Sequence, residues 1–353
     1  MSHLRPNSPI CRSSRLWAAC ALITLSLTAW PSQRAKCQQT CIRIMAQDST
    51  LNNLVDPAGY KTAALSTLGD AKRSGTGAQA IILIPGLGFG GDIFDELTDG
   101  WQDKYRMYAV TLSGFGGTPA PPCPGESTSF GEQTWTISAL AAIEKLIADE
   151  NIQNPILVGH WLTGTQLALQ LAMKHPDNVK AVIILSGSTR MLLTDTASNK
   201  YIATPEPRIA SVDKYSAPRW FKTVARETWD DNNFLPGDYA GNPVRGLRLW
   251  REAAAPEHHV WVRYLCEFNA QDVSVEMSKL TVPTFILKPG LEGNFHEPGQ
   301  DYMTLFCHKG WEGIVENNPK ITVKTIPNSR VCMWFDQPEQ IDSAVNYLLS
   351  NLQ

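Results

Sequence analysis

Short apolar runs separated by stretches of helical period fix the fold class of this 353-residue chain more tightly than any other feature. Ala80-Ile81-Ile82-Leu83-Ile84 is apolar throughout and stops at Pro85-Gly86. Residues 106–112, 156–158, 181–185, 284–287 and 321–326 follow the same habit, each halting near a glycine, proline or serine. Residues 134–149 instead place Ile137, Leu140, Ile143 and Ile147 on one helical face, the stretch after Trp161 repeats with Leu167 and Leu171, and a last helix spans about 338–351. A strand that is apolar on both faces must be covered on both, and alternating helices supply that cover. The expected class is therefore α/β, a doubly wound, mostly parallel sheet. The alternation fails between residues 190 and 280, where Trp220, Trp229, Trp250 and Trp261 recur at helical spacing. That stretch reads as a mobile helical cap inserted into a core formed by 45–189 and 281–353. Residues 45–75 are mixed and run into Arg-Ser-Gly-Thr-Gly, a flexible lead-in.

The chemistry concentrates at residues 155–164, Pro-Ile-Leu-Val-Gly-His-Trp-Leu-Thr-Gly, where an apolar strand meets a helical pattern with only Gly159-His160 between. Other segments fall in a telling order around it. Gly86-Leu87-Gly88 follows the first apolar strand, and Leu112-Ser113-Gly114-Phe115-Gly116-Gly117-Thr118-Pro119 follows the second. Pro283-Thr284-Phe285-Ile286-Leu287 forms a late strand, and Asn328-Ser329-Arg330 and Met333-Trp334-Phe335-Asp336-Gln337-Pro338-Glu339 flank Val331-Cys332. Through these motifs, in this order and spacing, the chain resembles the α/β-hydrolase superfamily over residues 80–350. The resemblance implies the fold already expected, and it implies a strand–turn–helix elbow for Gly-x-Ser-x-Gly at residue 159.

The family's triad runs nucleophile, acid, histidine along the chain. Matched motif by motif, the nucleophile position is Trp161, the acid position Glu292 and the histidine position Val331, five residues before Asp336. An indole offers no oxygen or sulfur to attack a carbonyl, and valine offers no base. Glu292 could orient an imidazole, but none is supplied. No serine lies between Asn151 and Ser186, and no histidine follows His308. His258, His259, His296 and His308 could serve only in a rebuilt site; the pair His258-His259 on a cap helix reads as surface. Thr163, one turn into the helix, should point away from the apex. Cys332 beside Val331 is better read as a small filler than as a thiolate. Two elements carry over because they are backbone: the N–H groups of Leu87 and Leu162, where the family builds its oxyanion hole.

The expected function is thus an α/β-hydrolase homologue without catalytic Ser and His, silent and at most a binder of a small apolar or aromatic ligand lined by Trp161 and Trp220. The alternative is an active serine-type hydrolase of small ester-like substrates, if the site is rebuilt or if positions 161 and 331 are not native. Gly86-Leu87-Gly88-Phe89-Gly90-Gly91 lacks the full dinucleotide pattern, and no paired Cys/His spacing suggests zinc, so no cofactor or metal is expected. A net charge of −3 with no basic stripe gives no reason to expect nucleic acid. Residues 1–44 differ from the rest: Arg5, Arg12 and Arg15 precede an uncharged run from Leu16 to Trp30, too short for a membrane span and suited to a signal peptide. Secretion or N-terminal anchoring is expected, with a cytoplasmic product the alternative if translation starts at Met45. No membrane span is expected in the core. The cysteines (Cys11, Cys20, Cys37, Cys41, Cys123, Cys266, Cys307 and Cys332) permit disulfides without fixing any.

Overall fold

The computed structural model describes residues 62–125, 127–193, 196–224, 234–293 and 302–352. The signal-like segment, Trp229 and His296 lie outside the described residues.

The six runs and one further strand form a single sheet of seven: β1 Asp70–Ser74, β2 Gln79–Ile84, β3 Tyr105–Thr111, β4 Ile156–His160, β5 Ala181–Leu185, β6 Thr284–Pro289 and β7 Ile321–Ile326. Their order is β1-β3-β2-β4-β5-β6-β7; every neighbour is parallel except β1, which runs antiparallel to β3. β4 and β5 are buried at every position, which is why they read as unbroken apolar runs. Helices α1 (Thr134–Asp149), α2 (Trp161–Lys174) and, near the C-terminus, α6 (Pro338–Ser350) belong to this core.

Two expectations need correction. The lead-in holds a strand, β1, whose Asp70, Lys72 and Arg73 conceal it because an edge strand needs only its backbone ladder to β3. In α1, Ile137 is 57% exposed. The buried face instead starts at Trp135 and Thr136 and continues through Ala139, Leu140, Ala142, Ile143 and Leu146.

That rotation is imposed from outside the helix. Between β5 and β6 the chain forms the short helices Thr196–Tyr201 and Pro205–Ser211, then α3 (Ala217–Thr223), the single turn Pro236–Tyr239, α4 (Pro243–Ala253) and α5 (His258–Ala270). Almost all of α5 is buried. Its Glu267, with no exposed surface, accepts hydrogen bonds from the Trp135 N–H (3.2 Å), the Thr136 N–H (2.8 Å) and Thr136 Oγ1 (2.8 Å), and pairs with Arg263 Nε at 3.0 Å. A carboxylate at a helix N-terminus meets both unpaired N–H groups and the positive end of the dipole. The Arg263 guanidinium covers Phe130 at 4.7 Å. Earlier in the insertion, Asp213 accepts from Ser129 Oγ (2.6 Å) and the Phe130 N–H (3.0 Å). Among the described residues, no helix is long and apolar enough to cross a membrane.

Candidate functional site

Tight glycine contacts build the elbow between β4 and α2. A Cβ on Gly159 would lie 2.6 Å from the Gly164 carbonyl oxygen, and one on Gly164 would lie 2.3 Å from the carbonyl oxygen of Ile84 on β2. The helix therefore starts flush against the sheet, and the chain must reverse within one residue. That residue, Trp161, takes φ +45°, while His160 before it is extended. For a bulky residue this left-handed conformation costs on the order of 1–3 kcal/mol. Gly164 is thus the close-approach glycine of the motif, which leaves Thr163 free to differ.

Trp161 is fully buried. Phe234 and Tyr239 stand edge-on to its indole, with ring centroids at 5.3 and 5.7 Å. No local sequence pattern announces either: both come from the insertion between β5 and β6, more than seventy residues away. Trp220, the expected aromatic partner, is half-buried on α3, and among the described residues no ring contact joins it to Trp161. A cavity of about 10 Å³ lies deeper, between α1, α2 and α5, lined by Thr136, Thr163, Gln166, Leu167, Tyr264 and Phe268. It has room for one water, far below the hundreds of Å³ of a ligand pocket.

Val331 is fully buried at the end of a turn that docks on the insertion. Its N–H donates to the Asp238 carbonyl and the Cys332 N–H to the Tyr239 carbonyl, both at 3.0 Å. Its own carbonyl accepts from His160 Nε2 at 3.2 Å, which fixes the tautomer of that ring. Burial lowers the His160 pKa to about 3, only partly opposed by this hydrogen bond, so the imidazole stays neutral. Burial likewise pushes the Cys332 thiol well above its usual range, reinforced by Glu252 and Asp336, so the thiolate is suppressed.

Glu292 is exposed on the turn after β6. Its Oε2 accepts from the Asn328 N–H at 2.7 Å and its carbonyl accepts from Arg330 Nη2 at 2.6 Å. The fold thus brings the acid loop beside the 328–331 turn, while the carboxylate itself serves a backbone amide. Leu87 and Leu162 are fully buried. The turn carrying Leu87 touches the elbow, since a Cβ on Gly86 would lie 2.9 Å from Trp161 Cβ. Leu162 sits in the first turn of α2, where N–H groups have no intrahelical acceptor.

The other described histidines are engaged elsewhere. His259 is buried rather than on the surface: its Nδ1 lies 3.2 Å from Glu257, and burial lowers its pKa to about 4. His258 is edge-on to Phe221, and His308 Nε2 donates to the Pro289 carbonyl at 2.7 Å. Among the described residues, no group of three or more His, Cys, Asp or Glu side chains could hold a metal ion.

A sheet of this order, an elbow at its centre and an insertion after β5 define an α/β hydrolase architecture. The family model described as "Alpha/beta hydrolase family" matches residues 81–344, and the chain belongs to that family. It is 28% identical to a 1-acylglycerol-3-phosphate O-acyltransferase of Arabidopsis thaliana over 181 residues, 51% of this chain and 37% of that one. It is 24% identical to a pimeloyl-[acyl-carrier protein] methyl ester esterase of Aeromonas hydrophila over 216 residues, 60% of this chain and 76% of the esterase. The chain therefore spans little more than a third of the Arabidopsis enzyme's length. Among solved structures, an esterase from Exiguobacterium antarcticum matches with a TM-score of 0.57 at 16% identity, covering 79% of this chain and 94% of that one. A bromoperoxidase from Bacillus anthracis matches at 0.58 and 18%, covering 80% and 95%. At such identities the likeness is one of fold.

Proposed function

We propose that this α/β hydrolase homologue is silent as a serine hydrolase and serves at most as a binder of a small apolar or aromatic ligand at Trp161. The observation that carries this reading is the indole at the strained apex of the elbow. Position 331 supports it, because valine there removes the base as well as the nucleophile. His160 is no substitute: its Nε2 is committed to the Val331 carbonyl, and a pKa of about 3 makes it a poor base at neutral pH. The strain at Trp161 is offset by packing against aromatic rings. A ligand would have to take the place of one of those rings.

One observation favours the alternative, an active hydrolase of small ester-like substrates. Ser186, just after β5, is fully buried at φ +56°, and among the described residues its hydroxyl has no partner. Labelling the full chain with a fluorophosphonate probe separates the readings, together with turnover of p-nitrophenyl acetate against a heat-denatured control. Silence in both is expected. Stoichiometric labelling of one serine, lost in Ser186→Ala, would establish the alternative.

A further inference from the structure

Buried polar side-chain atoms in folded proteins nearly always have partners, and each exception asks for an explanation. Several exceptions lie at the elbow, His160 Nδ1 and Thr163 Oγ1 among them, and two belong to adjoining rings. Trp161 Nε1 and Tyr239 Oη belong to fully buried residues, and among the described residues neither has a hydrogen-bond partner. Their rings touch edge to face at 5.7 Å. An indole N–H only donates, and a phenol donates whenever it keeps its proton. Burial, reinforced by Asp238, raises the Tyr239 pKa well above the ordinary phenol value, so the proton stays.

The surroundings select the acceptor. The rings in contact with the indole are Phe234, Tyr239 and the neutral imidazole of His160. An anion placed among them would lose its water without gaining a counter-charge, which burial does not tolerate. An uncharged carbonyl oxygen has two acceptor sites and no such penalty. The body of the ligand has a template too. The Phe234 ring lies 5.3 Å from Trp161, 6.4 Å from Trp261 and 6.2 Å from Phe306, so one aromatic ring fits among these side chains.

We propose that Trp161 and Tyr239 form a donor pair for an uncharged carbonyl compound whose aryl or short alkyl body takes the place of the Phe234 ring. The proposal rests on the ligand-binding reading above and adds the chemistry that recognises the ligand.

The test compares acetophenone with ethylbenzene, which has nearly the same outline and no acceptor. Both are titrated into the full chain and into Phe234→Ala, with indole N–H resonances followed by NMR and Trp161→Phe identifying the Trp161 signal. Acetophenone should move that signal and bind about tenfold more tightly than ethylbenzene, the return expected from two neutral hydrogen bonds. Phe234→Ala should tighten both ligands and keep the preference, since apolar cavities of this kind admit small aromatics. Tyr239→Phe should leave ethylbenzene unchanged and cut the acetophenone preference severalfold. Equal affinities for the two compounds in both proteins would overturn the donor pair and leave an apolar site. Binding of neither compound by either protein would overturn the donor pair and the ligand-binding reading together. The comparison in the unmodified chain stands even if Phe234→Ala does not fold.

Discussion

Trp161→Ser would empty the space of a fully buried indole, and truncations of large core side chains cost about 3–5 kcal/mol. Val331→His does the reverse. It adds a ring at a position with no exposure, whose N–H and C=O are already tied to Asp238 and His160, and overpacking of that kind costs about 1–3 kcal/mol. Both positions border Asp238–Tyr239: Trp161 through the Tyr239 ring, Val331 and Cys332 through two backbone hydrogen bonds. In the double variant the imidazole can grow into space the indole vacates. Its loss should therefore fall short of the sum of the single losses by about 0.5–3 kcal/mol. Urea unfolding of the four proteins at one pH measures this. Turnover of p-nitrophenyl acetate should appear in the double variant alone, because nucleophile and base act as a unit. The gain should be small, since Glu292 must leave the Asn328 amide to orient the new imidazole, and Glu292→Gln should shrink it further. Losses that add to within about 0.5 kcal/mol, with no turnover in the double variant, would refute the idea that positions 161 and 331 share one site.

Four further outcomes are expected. Glu267→Gln leaves Arg263 buried without its counter-charge and should cost about 3–5 kcal/mol in urea unfolding; a loss under about 1 kcal/mol would mean the pair is hydrated. Unfolded His160 and His259 take up a proton near 6.5 while the folded residues wait until about 3 and about 4, so stability should fall as the pH drops below 6.5. Glu252 acts in the opposite sense: burial raises its pKa from 4.5 to about 7, so stability is lost as the pH rises through that window, and Glu252→Gln should steepen the climb between pH 4.5 and 6.5 in thermal melts. Ile137→Glu, on the exposed face of α1, should change stability by no more than about 0.5 kcal/mol, whereas a loss of several kcal/mol would mean that face is covered.

The central strands were legible because burial on both faces leaves no room for polar residues, so their sequence carries the fold directly. β1 was not, because an edge strand held by its backbone can carry Asp70, Lys72 and Arg73 without penalty. Helical period places Ile137 on the wrong face of α1 for a different reason. Its orientation is decided by Glu267, 131 and 132 residues from the two amides it holds, and helical period cannot report a partner so distant. The elbow was legible because Gly159 and Gly164 are demanded by backbone approaches of under 3 Å. The cage around Trp161 is not, since tryptophan spacing points to Trp220 while the contacts come from Phe234 and Tyr239.

Glu267 also ties one part of the insertion to the core. The amides of Trp135 and Thr136 can exchange hydrogen with solvent only when α5 leaves the start of α1, so those amides report an opening that breaches the core itself. In native-state exchange they should group with β4 and β5 in the slowest foldon. α4 is in a different position: Leu249 and Ala253 are buried on its inner face, but its outer face leaves Val244 81% exposed, and its ion pair from Arg245 to Glu96 lies at the surface. Its amides should exchange through a cheaper, local opening. The insertion would then be two cooperative units, one folding with the sheet and one moving over it, and traffic toward Trp161 would pass on the α4 side.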